Sequence, residues 1–195
     1  MKNSLSIIIL NYKNWGVTIN CLKSIKKSIL HPTKIILIDN GSKNESVLKL
    51  SNFLNENYKI FIEIDNKHLS SILNKKFDVL FIKLSTNIGY ACGNNIGLKI
   101  SEKLKLKYSL VLNSDILIKE DFLPVFIEKI QNDYKCSIIT PIIENENGKV
   151  DLNCLRKRRS IPKTIFWNHG LFRPLFRFFL SNKYFFHEIE INKPN

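Results

Sequence analysis

Several short apolar runs end in polar residues that have the chemistry to bind a ligand. Tyr108-Ser109-Leu110-Val111-Leu112 leads into Asn113-Ser114-Asp115. Mg²⁺ takes few protein ligands, commonly one or two carboxylates completed by substrate phosphate oxygens and water. Asp115 alone can meet that need, and Asn113 can add a carbonyl oxygen or a hydrogen bond. Lys34-Ile35-Ile36-Leu37-Ile38 leads into Asp39-Asn40-Gly41-Ser42. A carboxylate at this point can accept the ring N–H of uracil or thymine and repel cytosine, which carries an acceptor there. The stretch Asn87-Ile88-Gly89-Tyr90-Ala91-Cys92-Gly93-Asn94-Asn95-Ile96-Gly97 has three glycines and three asparagines. Missing side chains at Gly89 and Gly93 would let backbone approach a ligand, while asparagines and a helix N-terminus would meet polar or anionic groups. Each stretch also has a plainer reading. An Asp-Asn-Gly-Ser turn enters helices, a glycine-rich loop bends, and most strand-end aspartates cap turns.

These tips need elements that carry them to one place. Leu5–Leu10 is almost continuously apolar, which suits a parallel strand covered on both faces, and it closes in Asn11. A helix is expected over Val17–Lys27, stopped by His31-Pro32. The spacing of Ser42 and Glu45 predicts a capping box and a helix running to about Asn55. Lys59–Ile64 and Val79–Lys83 read as strands, separated by a polar insert over Asn66–Lys76. The glycine-rich loop should feed a helix through about Lys105, and a further helix is expected over Asp121–Asn132. Ser137–Thr140 reads as a short strand, and Lys149–Cys154 as another after the Asn147-Gly148 turn. Strands alternating with helices at this spacing imply βαβ units and a mainly parallel sheet, an α/β fold whose ligands sit at the carboxyl ends of the strands.

The 195 residues suffice for a compact domain with its own core. Apolar content of 44% and charged content of 24% are ordinary for a globular protein. No apolar run approaches the roughly 20 residues that span a bilayer, and the N-terminus lacks a signal-peptide pattern, so a cytoplasmic location is expected. Cys21, Cys92, Cys136 and Cys154 are scattered, which argues against a disulfide framework or zinc site. The net charge of +13 is uneven: residues 1–150 contribute +7 and the much shorter 151–195 contribute +6. That balance favours anionic partners such as nucleotides, nucleic acid or an anionic membrane.

Taken in order, Ser6-Ile7-Ile8-Ile9-Leu10-Asn11-Tyr12, Leu37-Ile38-Asp39-Asn40-Gly41-Ser42, Asn87 to Asn95 and Leu112-Asn113-Ser114-Asp115 resemble family 2 of the nucleotide-sugar glycosyltransferases. The subgroup in view contains rhamnosyltransferase-like enzymes of bacterial surface polysaccharide assembly. The resemblance covers about residues 4–155. It implies a GT-A (Rossmann-like) fold, a mainly parallel sheet flanked by helices. It also implies a UDP- or dTDP-sugar donor, Mg²⁺ or Mn²⁺, and inverting transfer to a glycan or lipid-linked acceptor. By carry-over, Asn11 and Asp39 line the base pocket. Asn87, Gly89, Gly93 and Asn94 lie along the nucleotide-sugar, Asn40 and Asn113 also count among the residues that bind it, and Asp115 ligates the metal. The family's acceptor half, with its Gly-Gly-Phe-Asp-like stretch and the acidic pair that supplies the general base, finds no match after residue 155. Glu144, Glu146 and Asp151 are carboxylates downstream, but none is singled out as that base. The expected organisation is a nucleotide-sugar-binding domain over 1–155 and a C-terminal segment over 156–195.

That segment has its own pattern. Residues 155–186 hold eight Lys or Arg, no acid and nine aromatics. One reading is a solvated basic face over packed aromatics. Another is an interfacial segment, with rings at headgroup level and each cation worth about 1 kcal/mol beside an anionic leaflet, suited to a peripheral site at the inner face of the membrane. Single-stranded nucleic acid ranks below both, because the rest of the chain offers no nucleic-acid module.

Overall fold

The computed structural model describes residues 5–65, 75–134, 136–145 and 147–150. Residues 66–74 of the insert expected over Asn66–Lys76, and everything from residue 151 onward, including the basic aromatic segment and residues 151–154 of the expected Lys149–Cys154 strand, lie outside the described residues. The chain divides into two compact units, Met1–Ile139 and Thr140–Asn195.

In the first unit, β-branched and leucine-rich runs form five strands, as residues that pack well on a pleated surface should. In chain order they are β1 (Leu5–Asn11), β2 (Thr33–Asp39), β3 (Phe61–Asp65), β4 (Val79–Lys83) and β5 (Tyr108–Asn113). The helices are α1 (Trp15–Ser28), α2 (Ser46–Asn57), α3 (Tyr90–Lys103) and α4 (Leu123–Asn132). All five strands run parallel, in the order β3-β4-β2-β1-β5. β1 is the switch point: β2 lies on one side of it and β5 on the other. The chain therefore diverges around the tip of β1, which is where open α/β sheets place their ligands.

The sheet is covered on both faces. Ile7, Ile9, Leu37 and Phe81 point to one side, against Cys21, Leu22 and Ile25 of α1, Leu50, Phe53 and Leu54 of α2, and Leu123 of α4. Ile8, Ile36, Ile38, Leu80 and Ile82 point to the other side, against Ile100 of α3. The period-two alternation of these residues sets both faces at once, and a one-residue slip in pairing would exchange them. Two glycines let α3 sit close to the sheet. A Cβ on Gly97 would stand 2.4 Å from Cγ2 of Ile8, and one on Gly93 would stand 2.6 Å from Cδ1 of Leu10. At the opposite end of the strands, Ser6 Oγ lies 2.5 Å from Ser101 Oγ and donates to Ser109 Oγ at 3.2 Å, joining β1, α3 and β5.

Three expectations are corrected. The Ser42–Glu45 capping box does not form. α2 begins at Ser46 with no side-chain cap bond from Glu45, and Ser42 is taken up instead by the strand tips, where its Oγ accepts the N–H of Lys13 at 2.7 Å. Ser137–Thr140 carries no strand, because no neighbouring strand supplies a ladder for it among the described residues. α4 starts at Leu123 rather than Asp121. The Asp121 carboxylate is spent on the N–H groups of Leu123, Leu30 and His31. Among the described residues of the second unit, an antiparallel bridge pairs Glu144 with Val150 around a turn in which Gly148 has φ +72°. No helix among the described residues is long and apolar enough to cross a membrane.

Candidate functional site

The tips of β1 and β2 are tied by a buried polar network. Asn11 and Asp39 are register partners, and neither has accessible surface. Asn11 Nδ2 donates to Asp39 Oδ2 at 2.7 Å, and Thr18 Oγ1 of α1 donates to Asn11 Oδ1 at 2.8 Å. The other carboxylate oxygen, Asp39 Oδ1, accepts the N–H of Ser42 at 2.8 Å. The carboxylate is thus buried with a donor on each oxygen, which is what makes its burial tolerable.

Asn40 continues this network toward the loop before α3. Its Oδ1 accepts the N–H of Ile88 at 3.0 Å, and its Nδ2 donates to Asn87 Oδ1 at 3.1 Å and to the Gly89 carbonyl at 3.3 Å. Asn87 Oδ1 also accepts the N–H of Gly89 at 2.8 Å. Gly41 and Gly89 have φ of +70° and +86°, the left-handed region that glycine enters at little cost. At Gly41 there is a second reason for glycine. An added Cβ would stand 2.3 Å from the Thr86 carbonyl carbon and 2.6 Å from the Asn87 nitrogen. Asp39-Asn40-Gly41-Ser42 and Ser85–Gly89 are therefore packed backbone to backbone.

Above these tips lies an open cleft of about 390 Å³, lined by Leu10, Tyr12, Asn40, Asn87, Gly89, Tyr90, Asn113, Ser114 and Asp115. Of the residues expected from sequence, Asn40, Asn87, Gly89, Asn113 and Asp115 come together in this lining. Asn11, Asp39, Gly93 and Asn94 lie buried outside it. Two assignments change with that placement. Gly93 makes room for Leu10 rather than for a ligand, since Leu10 fills the space a side chain would take. Asp39, as placed, has no surface to offer a base; its carboxylate holds the two strand tips together. Asn94 donates from Nδ2 to the Tyr90 carbonyl at 3.1 Å, and its buried Oδ1 has no partner among the described residues.

Asp115 is exposed, past the end of β5, in a turn closed by the Ile116 N–H on the Asn113 carbonyl at 3.3 Å. Beneath it, burial and the nearby Asp115 carboxylate push the Cys21 thiol up to about 12. Among the described residues there is no group of three His, Cys, Asp or Glu side chains able to enclose a metal. The donor set fits only a cation that takes one carboxylate here and draws its remaining oxygens from a ligand and water, as Mg²⁺ does.

Sequence reasoning missed the two tyrosines. Tyr12 follows Asn11 on the loop after β1, and hydrogen bonding to Asn87, then the Lys13 ammonium, draws its hydroxyl below the ordinary value. Tyr90, 59% exposed, donates its hydroxyl to Asn113 Oδ1 at 2.6 Å, joining α3 to the tip of β5. Both lie inside stretches already singled out, where the glycines and asparagines drew the attention. Thr18 was missed as well; it faces Asn11 only because α1 folds back over β1.

The sequence model of the family described as Glycosyl transferase family 2 matches residues 6–189. The chain belongs to glycosyl transferase family 2. Its parallel sheet between helices is the α/β, GT-A-like architecture that this membership implies. A curated relative, the low-salt glycan biosynthesis hexosyltransferase Agl10 of Haloferax volcanii, is 29% identical over 150 residues. The match covers 76% of this chain and 39% of the relative, so the family 2 chain spans about two fifths of the length of that protein. Among solved structures, S. aureus TarS aligns at 18% identity with a TM-score of 0.47, covering 68% of this chain and 20% of TarS. A TarS 1–349 structure in complex with UDP aligns at 18% identity and a TM-score of 0.48, covering 69% of this chain and 33% of that one.

Proposed function

We propose that the cleft is the donor site of a glycosyltransferase and holds the nucleoside diphosphate of a UDP- or dTDP-sugar together with Mg²⁺ or Mn²⁺. The observation that carries this reading is convergence: residues from the ends of β2 and β5 and from the loop before α3 meet in one cleft around the exposed Asp115. Asp115 would ligate the cation, whose chemistry is to neutralise charge on the departing diphosphate. Asn40 and Asn87 fix the shape of the loop that the nucleotide lies along. The sugar then passes to a glycan or lipid-linked acceptor in surface polysaccharide synthesis, with inversion at the anomeric carbon.

Titrating UDP and dTDP, with and without Mg²⁺ or Mn²⁺, tests this. The expected result is binding of both nucleotides strengthened by metal, with the metal effect lost in Asp115→Ala. Failure to bind either nucleotide, or binding indifferent to metal, would overturn it.

A second reading is a nucleotide-sugar-binding module that acts with a partner or at a membrane. The lining of the cleft favours it: among the described residues it holds one carboxylate, which the cation would take, and none beside it to take the acceptor's hydroxyl proton, a role typically worth about 10²–10⁴-fold in rate. This reading predicts ligand binding without sugar transfer, and sedimentation with anionic vesicles through residues 156–186 that weakens with salt. Transfer of sugar by the isolated chain would exclude it.

A further inference from the structure

Asn113 and Asp115 are two residues apart in the same turn and line the same cleft, yet their oxygens are in different states. Asp115 is exposed, and both its carboxylate oxygens are acceptors. The Asn113 side-chain oxygen already accepts the Tyr90 hydroxyl at 2.6 Å. Its backbone oxygen accepts the Ile116 N–H at 3.3 Å and the Cys21 thiol at 3.8 Å. A cation approaching the amide oxygen would meet a hydroxyl hydrogen aimed at the same atom. The amide group of Asn113 is exposed and keeps its two N–H donors for whatever enters the cleft. The Tyr90 hydroxyl takes one of the two lone pairs on the amide oxygen and fixes which way the amide faces, so its N–H side is turned to a ligand atom that accepts.

Tyr90 is itself held. Its carbonyl takes the Nδ2 donor of the buried Asn94, one turn along α3. Its ring reaches from the first residue of that helix to the last residue of β5.

We propose that Tyr90 is a positioning residue that sets the amide of Asn113. By engaging the Asn113 oxygen, it fixes the amide with its N–H donors free for an oxygen of the bound nucleotide's ribose or diphosphate, and it makes that oxygen a poorer cation ligand than the Asp115 carboxylate. This rests on the donor-site reading above.

The test is a double-mutant cycle on UDP binding, using Tyr90→Phe, Asn113→Ala and the pair, each with and without Mn²⁺. Each single change should weaken UDP about three- to tenfold, the worth of one hydrogen bond. The double variant should lose no more than Asn113→Ala alone, because the tyrosine acts through the asparagine. The factor by which Mn²⁺ strengthens UDP should stay within twofold of wild type in all three variants and collapse in Asp115→Ala. A merely structural role for Tyr90 would not leave that factor intact while making the two losses non-additive. Uridine separates the sources: a loss shared by uridine places the contact on the ribose, and a loss confined to UDP places it on the diphosphate. The proposal is overturned if Asn113→Ala shrinks the Mn²⁺ factor as Asp115→Ala does, or if Tyr90→Phe costs as much without Asn113 as with it. A wild-type chain that binds no UDP would instead sink the donor-site reading, and the proposal with it.

Discussion

Replacing Gly41 by alanine is the sharpest test of how the two loops under the cleft are held. Two separate costs fall on that one Cβ. The first is conformational: φ of +70° is left-handed, and an L residue pays about 1–2 kcal/mol to stay there. The second is steric. The Cβ would stand 2.3 Å from the Thr86 carbonyl carbon, where ordinary contact begins at 3.4 Å, so the loop must retreat by about an ångström. The obstacle is backbone, which has no rotamer to escape into, and overpacking of that kind costs about 1–3 kcal/mol. Together the two give about 2–5 kcal/mol, a large share of the 5–15 kcal/mol typical of a folded domain. Retreat of the loop also pulls on the Asn40 bonds to Asn87, Ile88 and Gly89, so nucleotide binding should weaken along with stability. Urea unfolding followed by far-UV circular dichroism gives the first quantity, and UDP titration the second. Gly41→Asn separates the two costs, because asparagine tolerates the left-handed region but still carries a Cβ. It should recover about 1 kcal/mol and no more. An asparagine variant as stable as wild type would refute the crowding argument.

The two glycines of α3 should behave differently from each other. Gly97→Ala drives a methyl into the rigid Cγ2 of fully buried Ile8 and should cost about 1–3 kcal/mol in urea unfolding. Gly93→Ala meets only the mobile end of Leu10, so it should be nearly neutral in stability while moving the Leu10 methyls and weakening UDP; equal destabilisation by the two would contradict the packing described. Asn11→Ala removes the donor to Asp39 Oδ2 and the acceptor for Thr18, leaving a buried carboxylate short of a partner, and should cost about 2–4 kcal/mol. Alkaline stability should also fall. Cys21 and Tyr58 are both pushed up to about 12, mainly by burial, from ordinary values of 9.0 and 10.0. The folded state keeps these protons where the unfolded chain releases them, so stability is complete below pH 9 and declines between about pH 9 and 12, by up to about 1.4 kcal/mol per pH unit for each group. In Cys21→Ala, measured by urea midpoints across that range, the decline should begin only near pH 10.

The sheet was legible because its three central strands, β1, β2 and β4, are largely buried. Ile7, Ile8 and Ile9 leave no polar option in the run, and β2 and β4 repeat the pattern, so parallel strands between helices follow from the sequence. The tips were legible in kind but not in depth. Asn11 and Asp39 read as groups open to a ligand, yet pairing β1 with β2 in register brings amide and carboxylate within 2.7 Å, and they satisfy each other. Local spacing cannot show a bond between residues 28 positions apart. The same limit explains the capping box. Ser42 and Glu45 have the right separation, but the Lys13 N–H from another loop takes the serine oxygen first. Tyr90 and Asn113, 23 positions apart, meet only because α3 crosses to the far side of β1.

The three hydroxyls of Ser6, Ser101 and Ser109 matter for where α3 can rest. Shape alone would let a helix shift along a smooth apolar sheet by a turn at modest cost. A shift here would leave Ser6 and Ser101, both buried, without partners, a penalty of about 1–3 kcal/mol for each stranded group. The polar end of the helix thus acts as an anchor, and the notch at Gly97 as a stop. Because Tyr90 sits at the other end of the same rigid rod, serines far from the cleft fix how far its hydroxyl can reach.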